Sequence, residues 1–352
     1  MSHNNTPLHT PSQHGEIITR RLSDVEPQNV HWLWRNCVPR GKLMLLAGDP
    51  GLGKSLIAAS VAAAVSGGTN ADAATGHGDV LILSAEDDAA DTIRPRLQAA
   101  GADLTKCHVI DAVRQNVGGR EQRRPVSLAD DVTRLKKEIT HRGNVALVSV
   151  DPITAYLGKI DSNNNADVRA VLAPLAQLAA ECNVTVIAIS HLTKNKDGAA
   201  ISKVLGSLAF VAAARVVVVV VKDKTNEGRR LLLPMKNNLG NDQAGYAYRI
   251  EPVTVENEIN TCRVIWEPEQ ITITADEALA AAVTAKVRRP KRDEATSFLT
   301  QLLSLGPVAV TAVKSDGDGA GFSWATLRRA ADELGVIREK PEFKGGWQWR
   351  LP

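Results

Sequence analysis

The eight residues Gly48-Asp49-Pro50-Gly51-Leu52-Gly53-Lys54-Ser55 constrain this chain more than any other stretch. They fit the pattern G-x-x-x-x-G-K-[ST], and their flanks are those the pattern needs: residues 43–47 read as a buried strand and the Ala-rich residues 56–66 as a helix. A strand, a glycine turn and a helix start bring backbone N–H groups close to a polyphosphate, at the end of the helix that carries partial positive charge. Lys54 can then reach the β- and γ-phosphates and the Ser55 hydroxyl can ligate Mg²⁺. The stretch predicts a nucleoside triphosphate as ligand; a glycine-rich turn that binds nothing is the competing reading.

Further apolar runs place more chemistry beside it. Residues 80–83, 108–111, 145–151 and 184–189 read as short strands separated by helical stretches, which predicts an α/β fold with a mainly parallel sheet covered by helices on both faces. Ligands of such sheets sit beyond the carboxyl ends of the strands. Glu86, Asp151 and His191 each follow or end one of these runs. Glu86 is expected to face the nucleotide, while Asp87, Asp88 and Asp91 serve the start of a helix over residues 92–100. Asp151 ends a buried strand, the arrangement by which P-loop ATPases hold the Mg²⁺ shell. A neutral His191 can donate a hydrogen bond to a phosphate oxygen and register its loss, or merely cap its strand. Residues 120–125 are polar and basic and read as a loop, followed by a surface helix over residues 128–141.

The residue after Asp151 is Pro152, where many ATPases carry a catalytic glutamate. The base must then come from elsewhere, and Glu86 is the best placed; this argues for a RecA-like rather than an AAA+-like core. Residues 32–250 resemble the RecA/DnaB superfamily, most closely the RepA-type hexameric replicative helicases of plasmids, phages and mobile elements. The resemblance is carried by the phosphate loop, Leu83-Ser84-Ala85-Glu86-Asp87, Val150-Asp151-Pro152, Ile189-Ser190-His191-Leu192-Thr193-Lys194 and Leu232-Leu233-Pro234-Met235-Lys236-Asn237-Asn238-Leu239-Gly240. It implies an ATP-hydrolysing, Mg²⁺-dependent DNA helicase that works as a homo-oligomeric ring, with Glu86 polarising the attacking water, Asp151 ordering the Mg²⁺ waters and His191 sensing the γ-phosphate. Related helicases carry a Lys-x-Arg pair where this chain has Lys236-Asn237-Asn238, so the arginine is missing there. Arg215 matches the RepA-type placement of the finger that enters a neighbour's site, with Lys236 as a second cation; pairing of Arg215 with a carboxylate of its own subunit remains open. The segment bearing Lys194, Lys196 and Lys203 is basic and lacks aromatic residues, so it would track single-stranded DNA by charge and amide contacts; a plain solvent loop is the alternative.

Outside this core, residues 1–28 read as a flexible arm, 29–274 as the ATPase core, 275–293 as a helix and basic linker, and 294–352 as a small winged helix-turn-helix domain. In the last, Ser323 caps a helix bearing Arg328 and Arg329, and a hairpin bearing Lys344 follows. From Lys286 onward there are 12 basic and 8 acidic side chains, a net +4 in a chain whose total is +3. That local excess favours DNA at Arg328, Arg329 and Lys344, with protein docking as the alternative. Four scattered cysteines form no C-x-x-C pair, so neither a zinc site nor a disulfide framework is suggested. With no signal-peptide pattern and no apolar run long enough to span a bilayer, a cytoplasmic location without a membrane partner is expected.

Overall fold

Nine strands form the central sheet of the computed structural model, which describes residues 18–67, 77–191, 208–242, 244–279, 290–304, 306–340 and 346–352. The strands run in the order β13 (Ile259–Ile271), β12 (Gly245–Val255), β11 (Arg229–Asn237), β10 (Val216–Lys222), β3 (Leu43–Gly48), β9 (Thr185–His191), β8 (Val145–Asp151), β4 (Asp79–Ser84), β5 (Cys107–Val109). From β10 to β5 all neighbours are parallel, and β11, β12 and β13 extend the sheet as an antiparallel meander.

Strand periodicity explains how helices cover both faces. Leu43, Leu45 and Ala47 of β3 point to one side, where they join Leu128, Leu135 and Ile139 of the Leu128–Arg142 helix and Val168, Leu172, Leu175 of the Asn165–Glu181 helix. Met44 and Leu46 point to the other side and pack with Ile57, Ala58, Val61 and Val65 of the Lys54–Ser66 helix. The central strands are buried on both faces, hence their unbroken apolar runs.

Residues up to Val30 make a separate unit, whose described part is exposed and contains one 3₁₀ turn, Leu22–Asp24. In the larger unit, β1 (Trp32–Trp34) and β2 (Val38–Pro39) form a short hairpin ahead of β3. The expected helix over residues 92–100 is a π turn, Ala89–Ile93, running into a shorter α-helix, Arg94–Ala99. Residues 120–125 are not a loop: β6 (Val113–Val117) and β7 (Arg120–Arg124) pair as an antiparallel ribbon outside the central sheet.

Beyond the central sheet, three helices (Pro290–Leu303, Val310–Gly319, Trp324–Glu333) and a three-stranded antiparallel sheet share a core of Ala295, Leu299, Leu303, Val313, Leu327, Ala331 and Trp349. Its strands are β14 (Val308–Ala309), β15 (Ile337–Glu339) and β16 (Gln348–Arg350), with β16 in the middle. Ser323 caps the last helix by accepting the Thr326 N–H, and Gly335 ends it at φ +64°. Trp324 stacks on Trp349, centroids 5.2 Å apart, and so belongs to the core. The first helix begins at Pro290, inside the stretch expected to be linker, and the middle helix has no counterpart in the sequence reading.

Candidate nucleotide-binding site

Register brings the strand ends to one edge. Gly48 lies beside His191 across β3 and β9, Val150 beside Ala188 across β8 and β9, and Ser84 beside Asp151 across β4 and β8. The phosphate loop, Asp151, His191 and the acidic turn after β4 therefore share the carboxyl edge of the parallel strands, where α/β sheets hold ligands.

The loop turns through Gly51 and Gly53, both left-handed at φ +74° and +86°, before the helix begins at Lys54. At Gly53 a Cβ would stand 2.7 Å from the Ile250 Cδ1, so β12 closes over the loop from the meander side. Tyr248, two residues earlier on β12, is fully buried and donates its hydroxyl to the Leu52 carbonyl at 2.7 Å. Tyr248 in turn packs on Trp266, which packs edge-on against Trp34. Tyr248 and Ile250 are thus loop-holding residues that motif reading missed; the alternation Tyr246-x-Tyr248-x-Ile250 is the signal that could have found them.

Lys54 is almost wholly buried, and its ammonium donates to the carbonyls of Gly48 (2.9 Å) and Asp49 (3.0 Å) and to Nδ1 of His191 (3.2 Å). An ammonium only donates, so Nδ1 of His191 is the accepting nitrogen in this bond. Burial pushes the Lys54 pKa below its ordinary value, against the pull of Asp151, Asp49 and Glu86. Ser55 donates its hydroxyl to Asp151 at 2.5 Å. Burial likewise raises the Asp151 carboxyl, reinforced by Asp87 and Glu86 and opposed by the Ser55 hydrogen bond and Lys54.

These donors fit Mg²⁺ and a triphosphate. Ser55 and Asp151 present a hydroxyl and a carboxylate oxygen side by side, the ligands a hard cation takes, and a destabilised carboxylate gains from a nearby cation. No cluster of three or more His, Cys, Asp or Glu among the described residues makes a cage for a metal. A cavity of about 40 Å³ adjoins the pair, lined among others by Ser84, Asp87, Arg96 and Ser149.

The acidic turn divides its work. Asp88 caps the π turn by accepting from the N–H groups of Ala90 and Asp91, and Asp87 binds Arg96 at 2.6 Å, so both serve the helix. Glu86 is exposed at the edge, close enough for its charge to act on Lys54 and Asp151.

Arg215 and Lys236 lie away from this edge. Arg215 is exposed just before β10, level with Leu43, and among the described residues no carboxylate pairs with it. That is five residues below Gly48, about 17 Å along the strand, so it does not reach its own loop. Lys236 donates to the carbonyls of Val211 and Ala214, at 2.8 and 2.7 Å, at the end of the Leu208–Ala213 helix. Burial and the neighbouring Arg215 charge push its pKa down. Arg328 and Arg329 are exposed on the Trp324–Glu333 helix. Lys194, Lys196, Lys203 and Lys344 lie outside the described residues. No helix among the described residues is long and apolar enough to cross a membrane.

No curated protein matches the chain. A family profile described as an AAA domain matches residues 8–197, a span that contains the phosphate loop, Glu86, Asp151 and His191 and stops before Arg215. With more than half its length matched and a phosphate-loop motif and mainly parallel sheet in place, the chain belongs to the AAA domain family of P-loop ATPases.

Proposed function

We propose that this ATPase works on DNA, as a ring-forming replicative helicase of a plasmid, phage or other mobile element. In this reading its core is RecA-like and its C-terminal module a winged helix. The observation that carries the reading is the bond between Lys54 and His191, from which the sequence runs directly into Lys194, Lys196 and Lys203. A change at the phosphate loop would be felt at His191 and passed to a basic segment suited to a phosphodiester backbone.

Two further features support it. Pro152 after Asp151, with Glu86 at the neighbouring strand end, leaves Glu86 to orient the attacking water, as a RecA-like site requires. Arg215 stands far from its own loop without a carboxylate partner among the described residues, so it is available to a neighbouring subunit's site in a ring, with a hexamer as the expected assembly. Bound ATP with Mg²⁺ would supply the phosphoanhydride and neutralise its developing charge. Lys54, Ser55 and Asp151 would hold that pair, and residues 294–352 would bring Arg328, Arg329 and Lys344 to duplex DNA.

A second reading, an ATP-driven switch that binds DNA for regulation, partition or recombination without unwinding it, is favoured by Lys236. Its ammonium is held by carbonyls of its own subunit and so is not offered to a neighbour, which leaves a ring-type motor site one cation short. Steady-state ATP turnover with and without single-stranded DNA, followed by strand separation of a forked duplex, decides between them. The helicase predicts stimulation of severalfold together with unwinding. Stimulation without unwinding selects the switch, and turnover indifferent to DNA removes both.

A further inference from the structure

The β6–β7 ribbon stands outside the nine-stranded sheet, yet it is firmly rooted. At its first rung Arg124 donates to both carboxylate oxygens of Asp131, each at 2.6 Å, and its Nε donates to Gln115 at 3.0 Å. Asp131, 2% exposed, also accepts the Ser127 N–H at 2.9 Å and Arg134 at 2.9 Å. Beyond that clamp the ribbon is largely exposed and ends in Gly118-Gly119, both left-handed at φ +60° and +80°, the requirement of a two-residue hairpin turn.

What this rooted ribbon displays is charge. Residues 113–124 hold four arginines against one carboxylate, Glu121, and no aromatic side chain. On the second rung Arg114 stands directly opposite Arg123, an arrangement that weakens a ribbon unless an anion lies between or above the pair. Glu121 reaches Arg114 at 3.3 Å, while Arg123 is exposed and has no carboxylate partner among the described residues. Arg114 and Arg123 also line an open cavity of about 460 Å³ with Arg134, Arg142, Asp111 and Glu138. Within it Glu138 is taken by Arg142 at 2.7 Å and Arg134 shares Asp131 with Arg124, so Asp111 is the one acid there without such a partner.

We propose that the Arg114–Arg123 face of this ribbon binds the phosphodiester backbone of a nucleic-acid strand, a contact separate from the segment after His191 and from the C-terminal module. Two guanidinium forks side by side suit phosphate oxygens, and Asn116, two residues along on the same face, adds an amide donor about 7 Å away. Backbone recognition needs only such charged and amide donors. An acidic peptide partner would add apolar anchors, and this face has no aromatic to receive them. The inference rests on the DNA reading proposed above for its class of partner.

The test is binding of a fluorescein-labelled single-stranded oligonucleotide to the full chain, followed by anisotropy across a salt series. Wild type is compared with Arg114→Gln/Arg123→Gln and Arg114→Lys/Arg123→Lys. Losing two phosphate contacts lowers the salt slope by about 1.4 and weakens binding roughly tenfold near physiological salt. The lysine pair should keep the slope, and DNA-free ATP turnover and the thermal midpoint should stay at wild-type values in both variants. Unchanged affinity and slope in the glutamine pair overturn the inference while leaving the DNA reading intact. A lysine pair as weak as the glutamine pair also overturns it, because charge would then not be the cause. No binding by wild type at any salt removes the inference and the DNA reading together.

Discussion

Replacing Tyr248 by phenylalanine removes one oxygen from the interior and little else. The ring stays against Trp266, 5.1 Å between centroids, and the side chain remains fully buried. What is lost is the 2.7 Å hydrogen bond to the Leu52 carbonyl, inside the phosphate loop. A buried hydrogen bond contributes about 1 kcal/mol net, and a buried carbonyl left without its partner costs about 1–3 kcal/mol. The expected penalty is therefore about 1–3 kcal/mol. It falls on the loop that must hold the triphosphate: about 1 kcal/mol of it expressed in binding lowers nucleotide affinity about fivefold, and the remainder lowers the thermal midpoint by a few degrees. Titration with a fluorescent ATP analogue, alongside a thermal melt, reads both. Wild-type affinity together with a wild-type midpoint would refute the claim that β12 holds the loop through this hydroxyl; a lowered midpoint with unchanged affinity would reduce Tyr248 to a packing residue.

Two other outcomes follow from the same geometry. Glu86→Gln should bind ATP about as well as wild type yet turn it over at least about a hundredfold more slowly, as loss of a general base implies; single-turnover hydrolysis checks it, and an undiminished rate would remove the base assignment. Asp131→Asn should cost about 3 kcal/mol of stability at neutral pH, the lower end for breaking a buried ion pair, because Arg124 is partly exposed. The Arg124 hydrogen bond holds the Asp131 carboxyl below its ordinary value of 3.8. Its contribution is then full above that value and fades as pH falls through the lower folded value. Urea unfolding at pH 7 and near pH 3 should accordingly show a smaller acid-induced loss in Asp131→Asn than in wild type.

Residues whose position is set by burial were legible. β3, β4, β8 and β9 are nearly all apolar because both faces are covered, and the polar residues that break those runs at their ends, Asp151 and His191 among them, stood out for that reason. The ribbon of β6 and β7 was illegible because, apart from Val113 and Val117, its residues are Arg, Gln, Asn and Glu. It owes its order to Arg124 meeting an aspartate seven residues further on, which no periodicity announces. The Val310–Gly319 helix was hidden by Gly317 and Gly319, poor helix formers. Gly317 is there for packing, since a Cβ would stand 2.3 Å from the Leu327 Cδ1. At the site, Lys54, Ser55 and Asp151 could be named from spacing, but the anchoring of the loop by Tyr248 depends on a meander joined to the sheet from far along the chain.

The position of β9 has a mechanical consequence. It is wedged between β3 and β8, so the strand that leads into the phosphate loop and the strand that ends at Asp151 flank one shared rod, and only the Ser55–Asp151 hydrogen bond joins their ends directly. Any spreading of those two flanks must displace the tip of that rod, where His191 sits.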